Sequence, residues 1–113
     1  MPGKKEQPAV LPAMLLQMLA EEDLYGYQIM ERLESRSGQA ISLKAGTLYP
    51  LLHELEKKGF ITSYEAESGC RPRKYYHLTV EGGTHLGKTR EEWLGYAKAV
   101  ARVLEGGEAC ADV

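Results

Sequence analysis

One segment of this chain, residues 42–79, predicts its own structure more clearly than any other part and limits the folds available to the rest. Four leucines recur there with the i, i+3, i+4, i+7 spacing that places them on one buried face of a helix: Leu48, Leu51, Leu52 and Leu55. Gly59 follows two lysines and suits the position just after the end of a helix, where glycine adopts a left-handed backbone conformation at little cost. Ser42 is the candidate N-cap. We expect the helix to begin near Ser42 and to tighten before Pro50, or to begin at Thr47, because a proline deep inside a helix removes a hydrogen bond.

A β-hairpin with a basic tip is predicted directly after this helix. Its arms are two β-rich segments, Phe60 to Glu65 and Tyr75 to Thr79, and residues 68–74 form the tip. The tip carries three cations, Arg71, Arg73 and Lys74. A helix followed by a hairpin with cations at its tip is the arrangement of a winged helix-turn-helix, in which the helix enters the major groove of DNA. The segment therefore points to duplex DNA as a partner.

Three further helices complete the predicted fold. The first spans about Ala9 to Glu22, the second begins near Tyr25, and the last runs from a cap at Thr79 to about Glu105. The predicted class is mainly α with a small β-hairpin, a winged helix-turn-helix followed by a long C-terminal dimerisation helix. The expected organisation is a flexible arm at 1–8, a DNA-binding domain at 9–79, the dimerisation helix at 80–105 and a flexible tail at 106–113.

The last helix has a heptad-like seam that favours pairing with a second copy of the chain. Its members alternate four and three residues apart, with one polar position: Leu86, Arg90, Trp93, Ala97, Val100 and Leu104. A helix of this length exceeds what a small domain can cover, and two-fold dimers are the commonest oligomers. The alternative is a helix that folds back on its own core. Leu11 and Leu15 belong to a first helix that is apolar on more than one side, so they are assigned to the same interface.

Trp93 lies at the middle of this seam and raises a second possibility, a binding site for a small aromatic effector. Beside its symmetry mate, a flat indole ring can sandwich a planar apolar molecule. Simple packing at the interface explains a tryptophan at this position equally well.

The face of the leucine-striped helix opposite its leucines carries residues suited to DNA contact. Lys44 can reach a phosphate or a guanine edge, and Thr47 and Tyr49 can donate to phosphate oxygens. An ordinary solvated face is the alternative, and the neighbouring hairpin argues against it. The complete set of predicted DNA-contacting residues is Ser42, Lys44, Ala45, Thr47, Tyr49, His53, Arg71, Arg73 and Lys74.

Charge is distributed unevenly along the chain. The 113 residues carry a formal net charge of −2, yet residues 41–80 hold six Lys or Arg against four Glu. Each flank of that region holds four cations against six acidic residues. A basic patch on an acidic body is the electrostatic pattern of a protein that contacts phosphates with one face.

Composition and spacing argue against several function classes. No apolar run approaches the roughly 18 residues that a membrane span needs, and the N-terminus lacks the apolar core of a secretory signal. Cys70 and Cys110 fit neither a disulfide framework nor a metal-ligand spacing, and free thiols indicate a reducing, cytoplasmic location. His53, His77 and His85 form no ligand cluster in the sequence. With no nucleophile and base in a recognisable pattern and no phosphate-binding loop, the chain is predicted to be no enzyme and to need no cofactor.

Four ordered motifs resemble the PadR family of bacterial transcriptional regulators. They are Tyr-Gly-Tyr-Gln-Ile at 25–29, Gly-Thr-Leu-Tyr-Pro-Leu-Leu at 46–52, Leu-Glu-Lys-Lys-Gly-Phe-Ile at 55–61 and Arg-Lys-Tyr-Tyr-His-Leu-Thr at 73–79. The resemblance covers about residues 11–82, and the last helix matches by position rather than by motif. The chain is most similar to the short subgroup, which has a single C-terminal dimerisation helix.

The resemblance implies a winged helix-turn-helix homodimer that binds a palindromic operator, represses transcription and releases DNA on binding an effector, often a phenolic or other aromatic compound. Drug-sensing members of the short subgroup carry a tryptophan on the C-terminal helix, which maps onto Trp93. Cys70 departs from the run of arginines common in the family's wing, so a redox role there is a lesser hypothesis. Two rival functions stay open: a winged-helix module for protein–protein contact, and a small-molecule carrier with no regulatory role.

Overall fold

The computed structural model describes residues 9–106 as four α-helices and a three-stranded antiparallel sheet. In chain order the elements are α1 (Val10–Glu21), β1 (Leu24–Tyr25), α2 (Gly26–Arg36), α3 (Ala45–Lys57), β2 (Ile61–Ser68), β3 (Arg71–Leu78) and α4 (Val80–Glu105). The sheet order is β1-β3-β2, so β3 is central. The predicted class, a winged helix-turn-helix with a long C-terminal helix, is confirmed. The expected arm at 1–8, the tail beyond Gly106 and Cys110 lie outside the described residues.

A single apolar core joins the helices to the sheet. Its fully buried side chains are Leu15, Leu16, Leu24, Ile29, Leu48, Leu52 and Ile61. The predicted stripe of α3 is confirmed, because three of its four leucines are buried and Leu51 packs against the edge of the core. Full burial of one such side chain stabilises the fold by about 1.5–3 kcal/mol. The stripe therefore fixes which face of α3 is left for solvent or a partner.

Helix α3 begins at Ala45, so both predicted starts, near Ser42 and at Thr47, are wrong by a few residues. Lys44 is the N-cap, and its carbonyl accepts two backbone N–H groups of the first turn, each at 2.9 Å. The turn is therefore tight, as expected ahead of a proline. Pro50 lies inside the helix on its exposed side, where water can satisfy the carbonyl that loses its N–H partner.

The loop before α3 explains why Ser42 does not cap the helix. The Ser37 hydroxyl accepts a hydrogen bond from the backbone N–H of Ile41 at 2.9 Å, and Leu43 packs against the core. These contacts hold the loop in place up to Lys44, whose backbone is extended (φ −94°, ψ 159°). Ser42 is consequently exposed in the loop, ahead of the helix N-terminus rather than at it.

The hairpin is longer than predicted and its turn is tighter. Strand β2 pairs with β3 along its full length and ends at the Ser68–Arg71 pair, so the turn consists of Gly69 and Cys70 alone. Gly69 has a φ of 70°, the left-handed conformation that two-residue hairpin turns use. The three cations assigned to a tip therefore lie on β3. The polar residues of the arms have low strand propensity, and pairing with the partner strand overrides it.

A two-residue strand, β1, completes the sheet and is missing from the sequence prediction. Leu24 pairs with Tyr76, and Tyr25 pairs with Tyr75. Two residues are too few to show the alternation that identifies a strand, and their conformation depends on β3 lying beside them. Because α2 begins at the next residue, β1 attaches the wing directly to the start of that helix.

Thr79 caps α4 as predicted and also ties it to the end of α3. Its hydroxyl accepts the N–H of Gly82 at 3.0 Å and donates to the carbonyl of Gly59 at 2.7 Å. Gly82 packs so closely that a Cβ there would overlap the Phe60 carbonyl and would lie 2.7 Å from Cδ1 of Leu78. Helix α4 therefore leaves the wing from a closely packed corner.

Helix α4 folds back on its own core over only part of its length. Its first half folds back on α1, with Leu86 and Thr89 buried. Its second half exposes several large apolar side chains, of which Val103 at 76% and Leu104 at 79% are the most exposed. The molecule measures 66 Å along its longest axis and 32 and 24 Å along the others.

Candidate nucleic-acid interface

Helix α3, the start of α2 and strand β3 enclose one open groove, which brings the two predicted DNA-contacting elements together. The groove has a volume of about 230 Å³. Its lining comes from these three elements and from β1, which supplies Tyr25; the other lining residues are Gly26, Tyr27, Tyr49, Arg71, Pro72, Arg73, Lys74 and Tyr76. Of the predicted DNA-contacting residues, Tyr49 of α3 and the three wing cations of β3 line this groove.

The outer side of α3 carries the helix part of the predicted set. All of its members are exposed, with Tyr49 at 46%: Lys44, Ala45, Thr47, Tyr49 and His53. Lys44 and Ala45 lie at the helix N-terminus, where unpaired backbone N–H groups and the helix dipole favour an anion such as phosphate. His53 lies one turn beyond Tyr49 and lines no part of the groove.

The wing cations have no carboxylate partner in the described part of the chain. Ion pairs among residues 9–106 involve other side chains, namely Arg32 with Glu22, Arg36 with Glu21 and His77 with Asp23. Arg71 and Lys74 are exposed, and Arg73 is half-buried. Their positive charges are therefore available to phosphates.

Arg73 is held against an aromatic ring more closely than the other two wing cations. The exposed Lys74 has its Nζ 5.8 Å from the Tyr76 ring centroid, near the outer limit of a cation–π contact. The Cζ of Arg73 lies 4.5 Å from the centroid of the Tyr25 ring, within the range of a cation–π contact. The Nε atom is buried and has no hydrogen-bond partner among the described residues. The side chain is thus held close to the sheet rather than extended into solvent.

Tyrosine rings continue from Tyr25 across one face of the sheet. Tyr25 meets Tyr75 edge to face, with 5.4 Å between ring centroids, and Tyr75 stacks on Tyr64 at 5.8 Å. Beyond the last ring lies Asp23, which accepts a hydrogen bond from the Tyr64 hydroxyl at 2.5 Å and contacts Nδ1 of His77 at 2.9 Å. The series joins the residue before β1 to both long strands of the wing.

Opposing effects act on the pKa of Asp23. Partial burial raises the pKa of the carboxyl, whereas hydrogen bonds from Tyr64 and His77 lower it, and the net pKa lies below the usual value. The hydrogen bond to Asp23 raises the pKa of Tyr64, which therefore remains a neutral donor at neutral pH. An ionised carboxylate thus holds both donors in place.

A second, apolar groove lies between α1 and α4 and contains the predicted effector residue. It has a volume of about 410 Å³, and its lining includes Leu86, Trp93 and Ala97 from the predicted interface. Trp93 is half-buried, and its ring lies 5.6 Å from that of Tyr96 on the same helix. Three predicted interface residues are therefore brought together at one apolar surface.

The other predicted interface residues lie elsewhere. Leu15 has no exposed area and packs inside the protomer's own core, so its assignment to the interface is corrected. A side chain that is already covered on all sides has no surface left for a partner. Leu11 is half-buried on α1, and Val100 and Leu104 are exposed on the second half of α4.

Neither a metal cluster nor a membrane-spanning helix is found in the described part of the chain. His53 is exposed on α3, His77 pairs with Asp23, and His85 stacks on Phe60 with 4.2 Å between ring centroids. No three His, Cys, Asp or Glu side chains among residues 9–106 are grouped so that they could hold a metal ion. No helix in the same range is long and apolar enough to cross a bilayer.

Known proteins are similar to this chain in both sequence and architecture. The model of the PadR-like family of transcriptional regulators matches residues 15–88, which contain the α3 face and the wing described above. This chain belongs to the PadR-like family. The PadR-like chain is accordingly a transcriptional regulator with a winged-helix fold, and regulators of this family are not enzymes.

Individual relatives of the PadR-like chain agree with this membership. The transcriptional regulator Rv3488 of Mycobacterium tuberculosis is 31% identical over 102 residues, which cover 90% of this chain and 89% of the relative. The negative transcriptional regulator PadR of Bacillus subtilis is 34% identical over 86 residues, but this chain spans only 45% of its length. The crystal structure of a PadR family transcription regulator from hypervirulent Clostridium difficile R20291 superimposes with a TM-score of 0.72 at 33% identity, covering 85% of this chain and 99% of that one.

Several residues at the two grooves of the PadR-like chain escaped prediction. Tyr25 and Tyr27 lie within the motif at 25–29, but nothing local showed that they border the wing. Tyr96 follows Trp93 by three positions on α4, a helical spacing that indicates contact. Asp23 carries no sequence signal, because its partners on β2 and β3 lie far along the chain.

Proposed function

We propose that this PadR-like regulator is a homodimer that represses transcription by binding a palindromic operator, and that a small aromatic effector releases it. Residues 9–79 form the DNA-binding domain, and such a repressor works in the cytoplasm, where the DNA is. The observation that carries the proposal is the shared groove of α3 and the wing, where Tyr49 lies beside the unpaired cations of β3.

The division of α3 into two faces supports DNA binding. The leucines of α3 pack in the core, so the opposite face, on which Lys44 and Thr47 are exposed, is left for a partner. In winged-helix proteins a helix of this kind enters the major groove while the wing contacts the neighbouring backbone. The excess of cations between residues 41 and 80 matches a polyanionic partner.

Footprinting on the DNA upstream of the chain's own gene tests operator binding. We expect a protected palindrome whose half-sites lie about 34 Å or a multiple of that apart, because a two-fold dimer presents two equivalent α3 helices one helical turn apart. Affinity should fall steeply with salt, since neutralised phosphates release counterions. A chain that protects no sequence, and that selects none from a random library, would contradict the proposal.

A charge-removal variant separates DNA binding from a protein-docking role. Replacing Arg71, Arg73 and Lys74 with alanine should abolish operator binding while the oligomeric state stays unchanged, because the three side chains lie on β3 and none of them lines the groove between α1 and α4. The matched control replaces Lys88, Lys98 and Arg102 on α4, which removes the same number of cations elsewhere. Retention of operator affinity by the wing variant would favour the protein-interaction module.

The second half of α4 supports the homodimer. Val100 and Leu104, two members of the heptad-like seam that lie four residues apart, are exposed at 36% and 79%, and no element of the described chain covers them. Exposed apolar side chains grouped in this way mark interaction surfaces, and the heptad-like spacing of the seam suits a helix of the same kind. A second copy of α4 is the partner that fits.

The apolar groove between α1 and α4 supports the effector. Its volume of about 410 Å³ lies within the range of about 300–1,000 Å³ typical of ligand pockets. Trp93 offers a flat ring, and Gln17 and Arg90 are the polar residues at its border. A planar aromatic compound with few polar groups matches this lining.

Quenching of Trp93 fluorescence by planar aromatic compounds tests the effector, since this is the chain's only tryptophan. We expect quenching and loss of operator affinity over the same concentration range, and no effect of non-aromatic molecules of matched size. A Trp93→Leu variant should bind the operator but no longer respond. Quenching without any effect on DNA would instead favour a small-molecule carrier.

A further inference from the structure

The wing of this chain carries two kinds of cation, and one of them has a fixed orientation. Arg71 lies opposite Ser68 at the exposed end of the hairpin, and Lys74 is exposed on the same strand. Arg73 is half-buried, with its Cζ 4.5 Å from the Tyr25 ring centroid and its Nε covered. Arg71 can therefore adopt many rotamers in the free protein, and Lys74 is only weakly restrained, with its Nζ 5.8 Å from the Tyr76 ring centroid. Arg73 is confined to few rotamers.

Tyr25 is itself held from several sides. Its backbone pairs with Tyr75 across β1 and β3, and its N–H donates to Oε1 of Gln28 in the first turn of α2 at 3.1 Å. Its ring meets the ring of Tyr75 edge to face at an interplanar angle of 80°. The surface under the Arg73 guanidinium is thus anchored to the sheet and to α2 at once.

We propose that Tyr25 is a positioning residue that presents the Arg73 guanidinium to the operator, so that the geometry of Arg73 contributes to affinity beyond its charge. The proposal rests on the proposed function and adds a role for a residue whose backbone lies in β1. A guanidinium is a planar fork that binds phosphate or a guanine edge through two donors, whereas an ammonium group is a point charge. With Nε covered, the two terminal nitrogens of Arg73 are the donors left for DNA.

The energetic reason is preorganisation. A long side chain that is ordered only on binding loses rotamer freedom, and that loss opposes association. Arg73 has lost part of this freedom already in the free protein, because Tyr25 and the sheet confine it. Lysine at position 73 would keep the charge but would neither stack flat on the ring nor offer a fork.

The test compares matched arginine-to-lysine variants on a duplex that the wild-type chain selects from a random-sequence library. Arg73→Lys should weaken binding by about tenfold, which is the size of one cation–π or bidentate contact. The slope of affinity against salt should stay unchanged, because the number of cations is the same. Arg71→Lys, the control on the same strand, should change affinity by less than about twofold, as expected for an exposed charge.

Variants of Tyr25 separate positioning from a purely structural role. Tyr25→Phe keeps the ring and should bind the selected duplex as the wild type does, whereas Tyr25→Leu should lose about as much affinity as Arg73→Lys, roughly tenfold. The double variant Tyr25→Leu/Arg73→Lys should bind no worse than either single variant, because both remove the same contact. A purely structural role of Tyr25 predicts additive losses instead.

Each outcome leads to one conclusion. If the wild type selects no duplex, the proposed function fails and this inference with it. If it selects a duplex that Arg73→Lys binds as tightly as the wild type, the proposed function stands and the positioning role is overturned. Thermal unfolding is recorded for every variant. If Tyr25→Leu does not fold, the comparison of Arg73→Lys with Arg71→Lys decides the outcome. A role for guanidinium geometry requires these two variants to differ in their affinity for the selected duplex.

Discussion

The Cα of Gly26 lies against the ring of Tyr49: a Cβ at position 26 would overlap the tyrosine hydroxyl and would lie 2.6 Å from Cζ and 3.0 Å from Cε1. Gly26 is the first residue of α2, and Tyr49 lies on the exposed face of α3. The motifs at 25–29 and 46–52 therefore meet at one contact. The missing side chain at Gly26 sets how deeply the Tyr49 ring sits in the groove beside the wing.

Gly26→Ala should displace the Tyr49 ring but destabilise the fold by no more than about 1 kcal/mol, because the contact is with the hydroxyl end of a ring that is 46% exposed and can move. Operator affinity should fall as well, since Tyr49 is moved from its place in the groove. Urea unfolding followed by circular dichroism measures the first effect. Gly46→Ala in α3 is the control: nothing lies within 4 Å of its added Cβ, so it should be neutral or stabilise the helix by about 0.5–1 kcal/mol. Equal stability of the two variants would refute this account of the contact.

Gly82→Ala and Gly87→Ala should act in opposite directions although both lie in α4. At Gly82 a Cβ meets the Phe60 carbonyl, a backbone group that cannot rotate away, so we expect a loss of about 2 kcal/mol or more. At Gly87 a Cβ meets nothing within 4 Å, and alanine should add about 0.5–1 kcal/mol through its better helix propensity. The difference in the free energy of unfolding between the two variants is the quantity to measure.

The depressed pKa of Asp23 makes part of the stability of the wing dependent on pH. A carboxyl whose pKa is lower in the folded than in the unfolded state stabilises the fold above its unfolded value, near 3.8, and this contribution is lost as pH falls through the folded pKa. The stability difference between wild type and Asp23→Asn should therefore be full near neutral pH and shrink below about pH 4.

Tyr64→Phe offers an intermediate case for Asp23, because it removes one donor and leaves His77 in place. The pKa of Asp23, followed by NMR titration, should rise in this variant toward its usual value. A pKa that does not respond to the loss of the Tyr64 hydroxyl would show that the hydrogen bond does not lower it.

Leu104→Asp should weaken the proposed dimer by at least about tenfold, because a charge would be buried between two α4 helices. Val103→Asp is the matched control, since Val103 is almost equally exposed but lies outside the heptad-like seam. Sedimentation velocity over a concentration series gives both dissociation constants. If Val103→Asp dissociates the dimer more than Leu104→Asp does, the seam is placed on the wrong side of the helix.

The sequence predicts the helices and their buried faces because helical periodicity is local. The leucine spacing of α3 identifies its core face without knowledge of any other element, and the same applies to the cap at Thr79. Strand β1 is different, because Leu24 and Tyr25 adopt strand geometry only beside β3. The start of α3 differs from the prediction for a similar reason, because contacts of Ser37 and of the core fix the course of the preceding loop.

The candidate site also combines residues that the sequence predicts with contacts that only the fold creates. Arg71, Arg73 and Lys74 are recognisable as a cluster of charge in the sequence. Arg73 is distinguished by its close contact with Tyr25. This residue precedes α2 and α3 in the chain, and only the fold places it beside β3. Residue type therefore predicts which side chains carry charge, whereas tertiary contacts decide which of them are free to move.

Thr79 couples the winged domain to the base of α4, so that the two move together as one rigid body. Turning α4 against the domain would break two hydrogen bonds of one hydroxyl and would drive Gly82 into a backbone carbonyl. In the proposed dimer, a change in the distance between the two α3 helices must then arise where the α4 helices cross. Over the 66 Å length of the molecule, a rotation of about 3° at that crossing moves the far end by about 3.4 Å, which is one base-pair step of DNA. An effector bound near Trp93 would need to cause only such a small rotation to move the two α3 helices out of register with the two half-sites of the operator.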